Sequence, residues 1–321
     1  MLESSNRTFL VCSLSIVLLT SCSRTNLNDA RPGGSTFPSQ NEASPASTTM
    51  SPDSGTVPVT EALPKDDSFE VIVGDDTRQY RLYVPEVSRE QTLPLLVMIN
   101  GGGGNYYPFP QEKLFHDLAE REGFIVAQPI SKLRPGNEGE WQLNTDSSSR
   151  QDIDFMERLI DDIDLSYSID RKRVYATGYS LGSMFVYEIV CQLSTTFAAV
   201  ASYAGTMPIN HRDCEKPSPV GVMHIHGTED PIISYFNTWE WKDWDSVGEM
   251  YDVPGLVQHW SDLFACRSQR QEEMKYVYEN CGNNVRVEHF RLEGVGHEWP
   301  EYIAETQTAN VMWSFLRQFS L

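Results

Sequence analysis

The pattern of apolar and polar positions changes twice along the chain. Phe9 to Leu19 form one short apolar run. Residues 23 to about 66 are dominated by Ser, Thr, Pro, Asn, Asp and Gly, with few large apolar groups. Such a segment cannot bury enough surface to offset the entropy of ordering and reads as a flexible tether. From about residue 67 the pattern is that of a folded domain. Phe69–Val73 and Thr77–Val84 read as strands, the second with Tyr80, Leu82 and Val84 on one face. Gly74-Asp75-Asp76 between them predicts a β-hairpin. Leu93–Ile99 and Phe124–Ala127 are continuous apolar runs, as expected of strands buried on both faces. Asp152–Leu165 carries Phe155, Met156, Leu159, Ile160 and Ile163 at helical spacing. Arg173–Thr177 predicts another buried strand, followed by a helix packed through Met184, Phe185, Tyr187, Ile189 and Val190. Phe197–Ala201, Val220–Ile225 and Val285–Leu292 are further strands, and Val311–Phe319 is a closing helix. This alternation predicts an α/β fold: a mostly parallel central sheet flanked by helices, with an N-terminal β-hairpin.

The apolar run near the start is too short for a permanent span but suits the core of a signal peptide. It ends Leu19-Thr20-Ser21-Cys22, which resembles a bacterial lipobox, whose cysteine becomes diacylated and begins the mature protein. Ser23 after it resembles the lipoproteins of two-membrane cells that are sent to the outer membrane. The expected organisation is a lipoprotein signal peptide at 1–21, a lipidated Cys22 and tether at 22–66, and a folded domain at 67–321. Lipid on Cys22 anchors a protein to a membrane without a spanning helix.

The 321 residues have room for one large domain or two small ones. Twenty-five basic against 45 acidic residues give a formal net charge of −20. Such a surface repels nucleic acid and anionic headgroups, so neither is an expected partner, and the acidity itself reads as solubility. Setting aside Cys12 and Cys22, four cysteines remain: Cys191, Cys214, Cys266 and Cys281. An even number in a chain bound for an oxidising compartment implies disulfides. Three pairings exist, and Cys191–Cys214 with Cys266–Cys281 close the shortest loops. No C-x-x-C spacing is present, and no metal or other cofactor is expected.

The chemistry concentrates at Gly178-Tyr179-Ser180-Leu181-Gly182, a G-x-S-x-G sequence between a predicted strand and a predicted helix. In a nucleophile elbow the serine occupies that sharp turn, and flanking glycines let it approach neighbouring backbone. A serine hydroxyl needs a base, and the base needs an orienting third group. The expected order Ser, Asp or Glu, His is present. The strand ending at Ile225 runs into His226-Gly227-Thr228-Glu229-Asp230-Pro231, with Asp230 the favoured acid and Glu229 its competitor. The last strand runs into Gly294-Val295-Gly296-His297-Glu298-Trp299-Pro300, with His297 the expected base. Oxyanion donors are expected from the backbone N–H of Leu181 and from the loop Asn100-Gly101-Gly102-Gly103-Gly104, at Gly102.

Other groups rank lower. His116, His211, His259 and His289 have no comparable setting. His224 and His226 share a strand face but lack a carboxylate at ligand spacing, and Asp161, Asp162, Asp164 and Asp170 lack a calcium-loop pattern. Tyr106, Tyr107, Trp141, Tyr235, Trp239, Trp241, Trp244 and Trp299 are candidates for an aromatic acyl pocket, Trp141 and Trp299 foremost.

Together, Leu95–Gly104, Arg173–Ser180, His224–Pro231 and Gly296–Pro300 resemble the secreted esterases of the polyhydroxybutyrate depolymerase and feruloyl esterase group, within the α/β-hydrolases. Cys266 and Cys281 also resemble that group's pattern. The resemblance spans residue 67 to the end. It implies the α/β-hydrolase fold, no cofactor, and hydrolysis of feruloyl, acetyl or hydroxyalkanoate esters through Ser180, Asp230 and His297. Polysaccharide-linked and polyester-linked esters both fall within the implied substrate class. Two residues depart from the pattern. Asn100 stands where the group usually has histidine, and Ser183 stands where a further glycine is common. The same elbow also suits a serine peptidase. A surface binding lipoprotein with an idle site is a third reading, supported by Asn100 alone.

Overall fold

The computed structural model describes residues 66–86, 91–102, 109–132, 141–240 and 247–321. The signal peptide, Cys22, the tether, Gly103, Gly104, Tyr106, Tyr107, Trp241 and Trp244 lie outside the described residues.

A ten-stranded sheet organises the domain. Its strands are β1 (Asp66–Val73), β2 (Asp76–Tyr83), β3 (Leu93–Ile99), β4 (Ile125–Pro129), β5 (Ile169–Tyr179), β6 (Ala199–Tyr203), β7 (Gly221–Gly227), β10 (Ser268–Glu272), β11 (Lys275–Glu279) and β12 (Val287–Leu292). Two short antiparallel pairs lie apart from it: β8 (Trp239–Glu240) with β9 (Glu249–Met250), and β13 (Tyr302–Ile303) with β14 (Thr306–Gln307). The sheet order is β1-β2-β4-β3-β5-β6-β7-β12-β11-β10. Neighbours from β4 to β12 pair parallel, whereas β1, β2, β11 and β10 join antiparallel.

Apolar pattern explains the parallel centre. β3, β4, β6 and β7 are buried at every position. Burying one Leu, Ile or Phe side chain is worth about 1.5–3 kcal/mol, so runs such as Leu93–Ile99 have no stable place on a solvated face. The helices α1 (Glu112–Glu122), α2 (Gln151–Ser166), α3 (Leu181–Leu193), α4 (Val253–Leu263) and α5 (Thr308–Leu316) cover those faces. α1 packs on α5 and α2 on α3. Every predicted apolar position of α2 is buried: Phe155, Met156, Leu159, Ile160 and Ile163.

The N-terminal hairpin forms as expected, with Val73 opposite Asp76 and Gly74 at a φ of 59° in the connecting turn. A second hairpin, β10–β11, closes the opposite edge and was not expected. Ser268–Glu272 is exposed throughout, so it carries no alternating apolar signal. Charged edge residues of this kind discourage pairing with another chain. Two disulfides are present, Cys191–Cys214 and Cys266–Cys281, the pairings that close the shortest loops.

Arg78 on β2 forms a buried ion pair with Asp152 on α2 at 2.6 Å, the two side chains being 2% and 0% exposed. The guanidinium also lies 4.2 Å over the Phe155 ring. The other oxygen of Asp152 accepts the Gln142 N–H at 2.8 Å. Removing one member of such a pair strands the other charge without water. Arg78→Ala is therefore expected to lose about 3–5 kcal/mol of unfolding free energy in urea titrations. A loss below about 1 kcal/mol, the range of exposed pairs, contradicts this account.

Candidate active site

The strand β5 ends at Tyr179 and α3 begins at Leu181, so Ser180 alone makes the turn. Its backbone has φ 54° and ψ −122°, a combination that side chains with a Cβ rarely adopt. Three contacts hold it there. The Ser180 N–H donates to Tyr203 O at 3.0 Å, and Ser180 O accepts from Met184 N at 3.1 Å. The third is close packing: a Cβ on Gly178 would overlap the backbone of Gly182, and one on Gly182 would overlap the carbonyls of Ile99 and Asn100. Both elbow glycines are thus required by approach distance.

The Asp230 and His297 loops leave adjacent parallel strands, β7 and β12. Gly227 lets them touch, since a Cβ there would overlap the Val295 and Gly296 carbonyls. The Glu229 N–H donates to Val295 O at 3.0 Å, binding loop to loop. Two tyrosines pin the histidine segment from below. Tyr179 donates its hydroxyl to His297 O at 3.0 Å, and Tyr203 donates to Glu298 O at 2.6 Å. Trp299 packs on both tyrosine rings and on Phe109, and donates its indole N–H to Gln111.

These supports bring three distant residues into one hydrogen-bonded line. His297 Nδ1 lies 2.7 Å from Asp230 Oδ2, and His297 Nε2 lies 2.9 Å from Ser180 Oγ. The carboxylate accepts at Nδ1, so the imidazole holds its proton there and presents a bare Nε2 to the serine hydroxyl. Glu229, the competing acid, is exposed, while Asp230 is buried. Asp230 Oδ1 accepts the N–H groups of Ile232 and Ile233, each at 2.8 Å. Burial pushes its carboxyl up, but hydrogen bonds from His226, His297 and Ile233 outweigh that and hold it well below the usual carboxylate range.

Leu181 is the first residue of α3, where backbone N–H groups have no partner within the helix. Gly102 sits against it, and a Cβ on Gly102 would lie 3.6 Å from Leu181 Cδ2. Asn100 is 8% exposed, and its Nδ2 donates to Gly101 O at 2.9 Å. The Gly101–Gly102 peptide is planar and trans, so a pinned carbonyl aims the Gly102 N–H the opposite way.

Trp141 corrects an expectation. It was grouped with the pocket aromatics, but it is wholly buried, stacked on Phe185, and donates Nε1 to Asn100 O at 2.9 Å. Its size and apolar body drive it into the core, where it braces Asn100. Tyr235 is likewise buried, its hydroxyl donating to His289 Nε2 at 2.8 Å. Trp299 is half-buried beside the Ser–His–Asp line. Ser183, the other departure, is buried and shares a hydrogen bond with Ser202, in space that a side chain at Gly205 would need.

Fold and site together define a serine-hydrolase arrangement on the α/β-hydrolase fold. A family model described as phospholipase/carboxylesterase matches residues 141–243. A bifunctional acetylxylan esterase/xylanase of Neocallimastix patriciarum is 26% identical over 257 residues, which cover 76% of this chain and 34% of that protein. Feruloyl esterase B of Piromyces equi is 23% identical over 239 residues, covering 72% and 43% respectively. The chain thus spans less than half the length of either relative. The solved acetyl xylan esterase from Aspergillus awamori superposes with a TM-score of 0.51 at 17% identity, over 72% of this chain and 94% of that one. These likenesses support an α/β-hydrolase of the esterase group.

The site is embedded among histidines that burial keeps neutral. Burial pushes His224 well below the usual imidazole range, helped by His226 and His289, and it pushes His289 down to about 3. Below pH 6.5 the unfolded chain takes up protons that these folded imidazoles refuse. Their contribution is therefore complete above pH 6.5 and declines as pH falls towards the folded values. Asp230, depressed from 3.8, adds loss in the same direction below about pH 4. Thermal unfolding followed from pH 7.5 to 4.5 should show stability falling by up to about 1.4 kcal/mol per unit for each such histidine. His289→Gln should flatten that slope, and an equal slope in variant and parent would remove His289 from the account.

Proposed function

We propose that residues 67–321 form a serine esterase that hydrolyses carboxylic esters through an acyl-enzyme. The observation that carries this reading is the unbroken line Ser180 Oγ–His297–Asp230, at 2.9 and 2.7 Å. In the first half-reaction Ser180 Oγ attacks the ester carbonyl while His297 Nε2 takes its proton. The carbonyl oxygen becomes an oxyanion facing the N–H groups of Leu181 and Gly102. Collapse expels the alcohol, which receives the proton from His297. Water then attacks the acyl-serine by the same route and releases the acid. Asp230 stays ionised throughout, orienting the imidazole and stabilising its cation. No cofactor enters these steps.

The relatives' names favour acetyl or feruloyl esters on plant-type polysaccharide as the substrate class. Trp299, beside the site, offers an aromatic wall for such a group. We place the enzyme outside the cytoplasm, tethered through Cys22. Support comes from the apolar run and cysteine at the N-terminus and from two disulfides, which persist in oxidising compartments.

Two measurements test this. Purified protein should hydrolyse nitrophenyl acetate, and Ser180→Ala should lower kcat at least about 10³-fold with an unchanged unfolding midpoint. Equal activity in variant and parent sinks the mechanism. Separately, the full chain expressed in a bacterium should fractionate with membranes, and Cys22→Ala should move it to the soluble fraction. Identical partitioning of the two removes the lipid anchor.

A further inference from the structure

Behind Asp230 runs a second line of buried polar groups that the ester mechanism does not use. His226 Nε2 lies 3.2 Å from Asp230 Oδ2, the same oxygen that faces His297. It also lies 3.0 Å from Ile233 O. Both neighbours are acceptors, so Nε2 of His226 carries a proton. His226 Nδ1 lies 3.1 Å from His224 Nε2. His224 Nδ1 in turn meets the Tyr187 hydroxyl at 2.7 Å and Ser202 Oγ at 3.2 Å. His226 and His224 are 0% and 1% exposed, and Tyr187 is 0% exposed.

One set of protons satisfies every member. Burial pushes the Tyr187 phenol up, so it keeps its proton and donates to His224 Nδ1. His224, which burial keeps neutral, then holds its proton at Nε2 and donates to His226 Nδ1. His226 holds its proton at Nε2 and donates to Asp230. Every dipole points towards the carboxylate. An aligned chain of this kind strengthens its last bond.

We propose that His226, backed by His224 and Tyr187, is a positioning residue that fixes Asp230 and sets how strongly His297 binds its proton. No proton moves along the line; each stays on its own atom. The effect follows from a shared oxygen. Oδ2 divides its negative charge between the N–H of His226 and that of His297. Less charge then remains to stabilise the His297 imidazolium. Titratable groups among the described residues also surround the line. On β12, Arg291 acts on His289, whose Nδ1 donates to His224 O at 3.1 Å. Tyr235, in the segment after Asp230, donates to the other ring nitrogen of His289. Tyr203 on β6 and Tyr179 on β5 pack below His297, and Glu298 follows it in the chain.

This inference rests on the proposed roles of Ser180, Asp230 and His297, and its test separates the two. Ring-nitrogen NMR of the full chain should show His224 and His226 neutral, protonated at Nε2 and bare at Nδ1. A bare Nε2 on His226 overturns the proposal and needs no variant to be seen. His226→Met removes the donor. Titration of the His297 ring, read by NMR without substrate, should then move upward. The acid limb of kcat/KM should move with it, while kcat falls about fivefold at unchanged KM. His226→Gln, which can still donate to Asp230, should restore both the limb and kcat. A lower kcat with an unmoved limb and an unmoved NMR titration marks His226 as packing only. If the NMR shift appears in a protein that turns over no ester, the line stands and the esterase reading falls.

Discussion

The site depends on one close approach, where the start of α3 meets the ends of β5 and β3. Ser180 holds a φ of 54°, which costs on the order of 1–3 kcal/mol and persists only if its surroundings leave no alternative. Those surroundings are the Gly178–Gly182 contact, the carbonyls of Ile99 and Asn100 against Gly182, and the Tyr203 carbonyl on the Ser180 N–H. Ile99 and Tyr203 end strands buried at every position, and Gly178 lies in the buried stretch of β5. The apolar runs that drive the sheet together therefore also supply the strain energy that exposes the serine. The same approach sets Gly102 against Leu181, so the proposed nucleophile and the proposed oxyanion donors are positioned by a single packing event.

Much of this was legible in the sequence because the parallel sheet is built from continuous apolar runs. Leu93–Ile99 is both the predicted and the observed β3. The elbow and the His297 loop carry two glycines each, and the Asp230 loop leaves the buried strand β7 through Gly227. What escaped notice lacked that signal. Ser268–Glu272 forms an edge strand with no buried position, and its pairing is fixed by the turn and by β11, not by a core. α1 reads as a charged segment in which only Phe115, Leu118 and Ala119 are buried. α4 hides behind Pro254 and Gly255, although Asp252 caps it by accepting the Gly255 N–H at 2.6 Å. Trp141 was misjudged for another reason. Its chemistry suits a cleft, and only the fold reveals that it is enclosed.

The histidines teach a related lesson. His224 and His226 share a strand face, and the sequence shows no ligand spacing around them. In the fold they face Tyr187 and Asp230, and their hydrogen bonds are satisfied within the protein. A buried polar line of this length is costly unless every member is paired. It sits directly behind the one carboxylate that orients His297.

The Asn100 departure can be weighed on the same physical terms. It was the one sequence feature in favour of an idle site. If the glycine loop relied on an imidazole for support, Asn100 would leave it loose. Instead both carbonyls flanking the loop's first peptides are held. Asn100 O accepts from the indole of Trp141, itself locked against Phe185, and Gly101 O accepts from the Asn100 amide. Fixing the second carbonyl fixes the opposite face of that peptide, which is where the Gly102 N–H points. The amide does with one donor what the loop geometry needs, and the tryptophan supplies the rigidity behind it. Among the described residues, Asn100 and Trp141 between them hold the first two carbonyls of the loop.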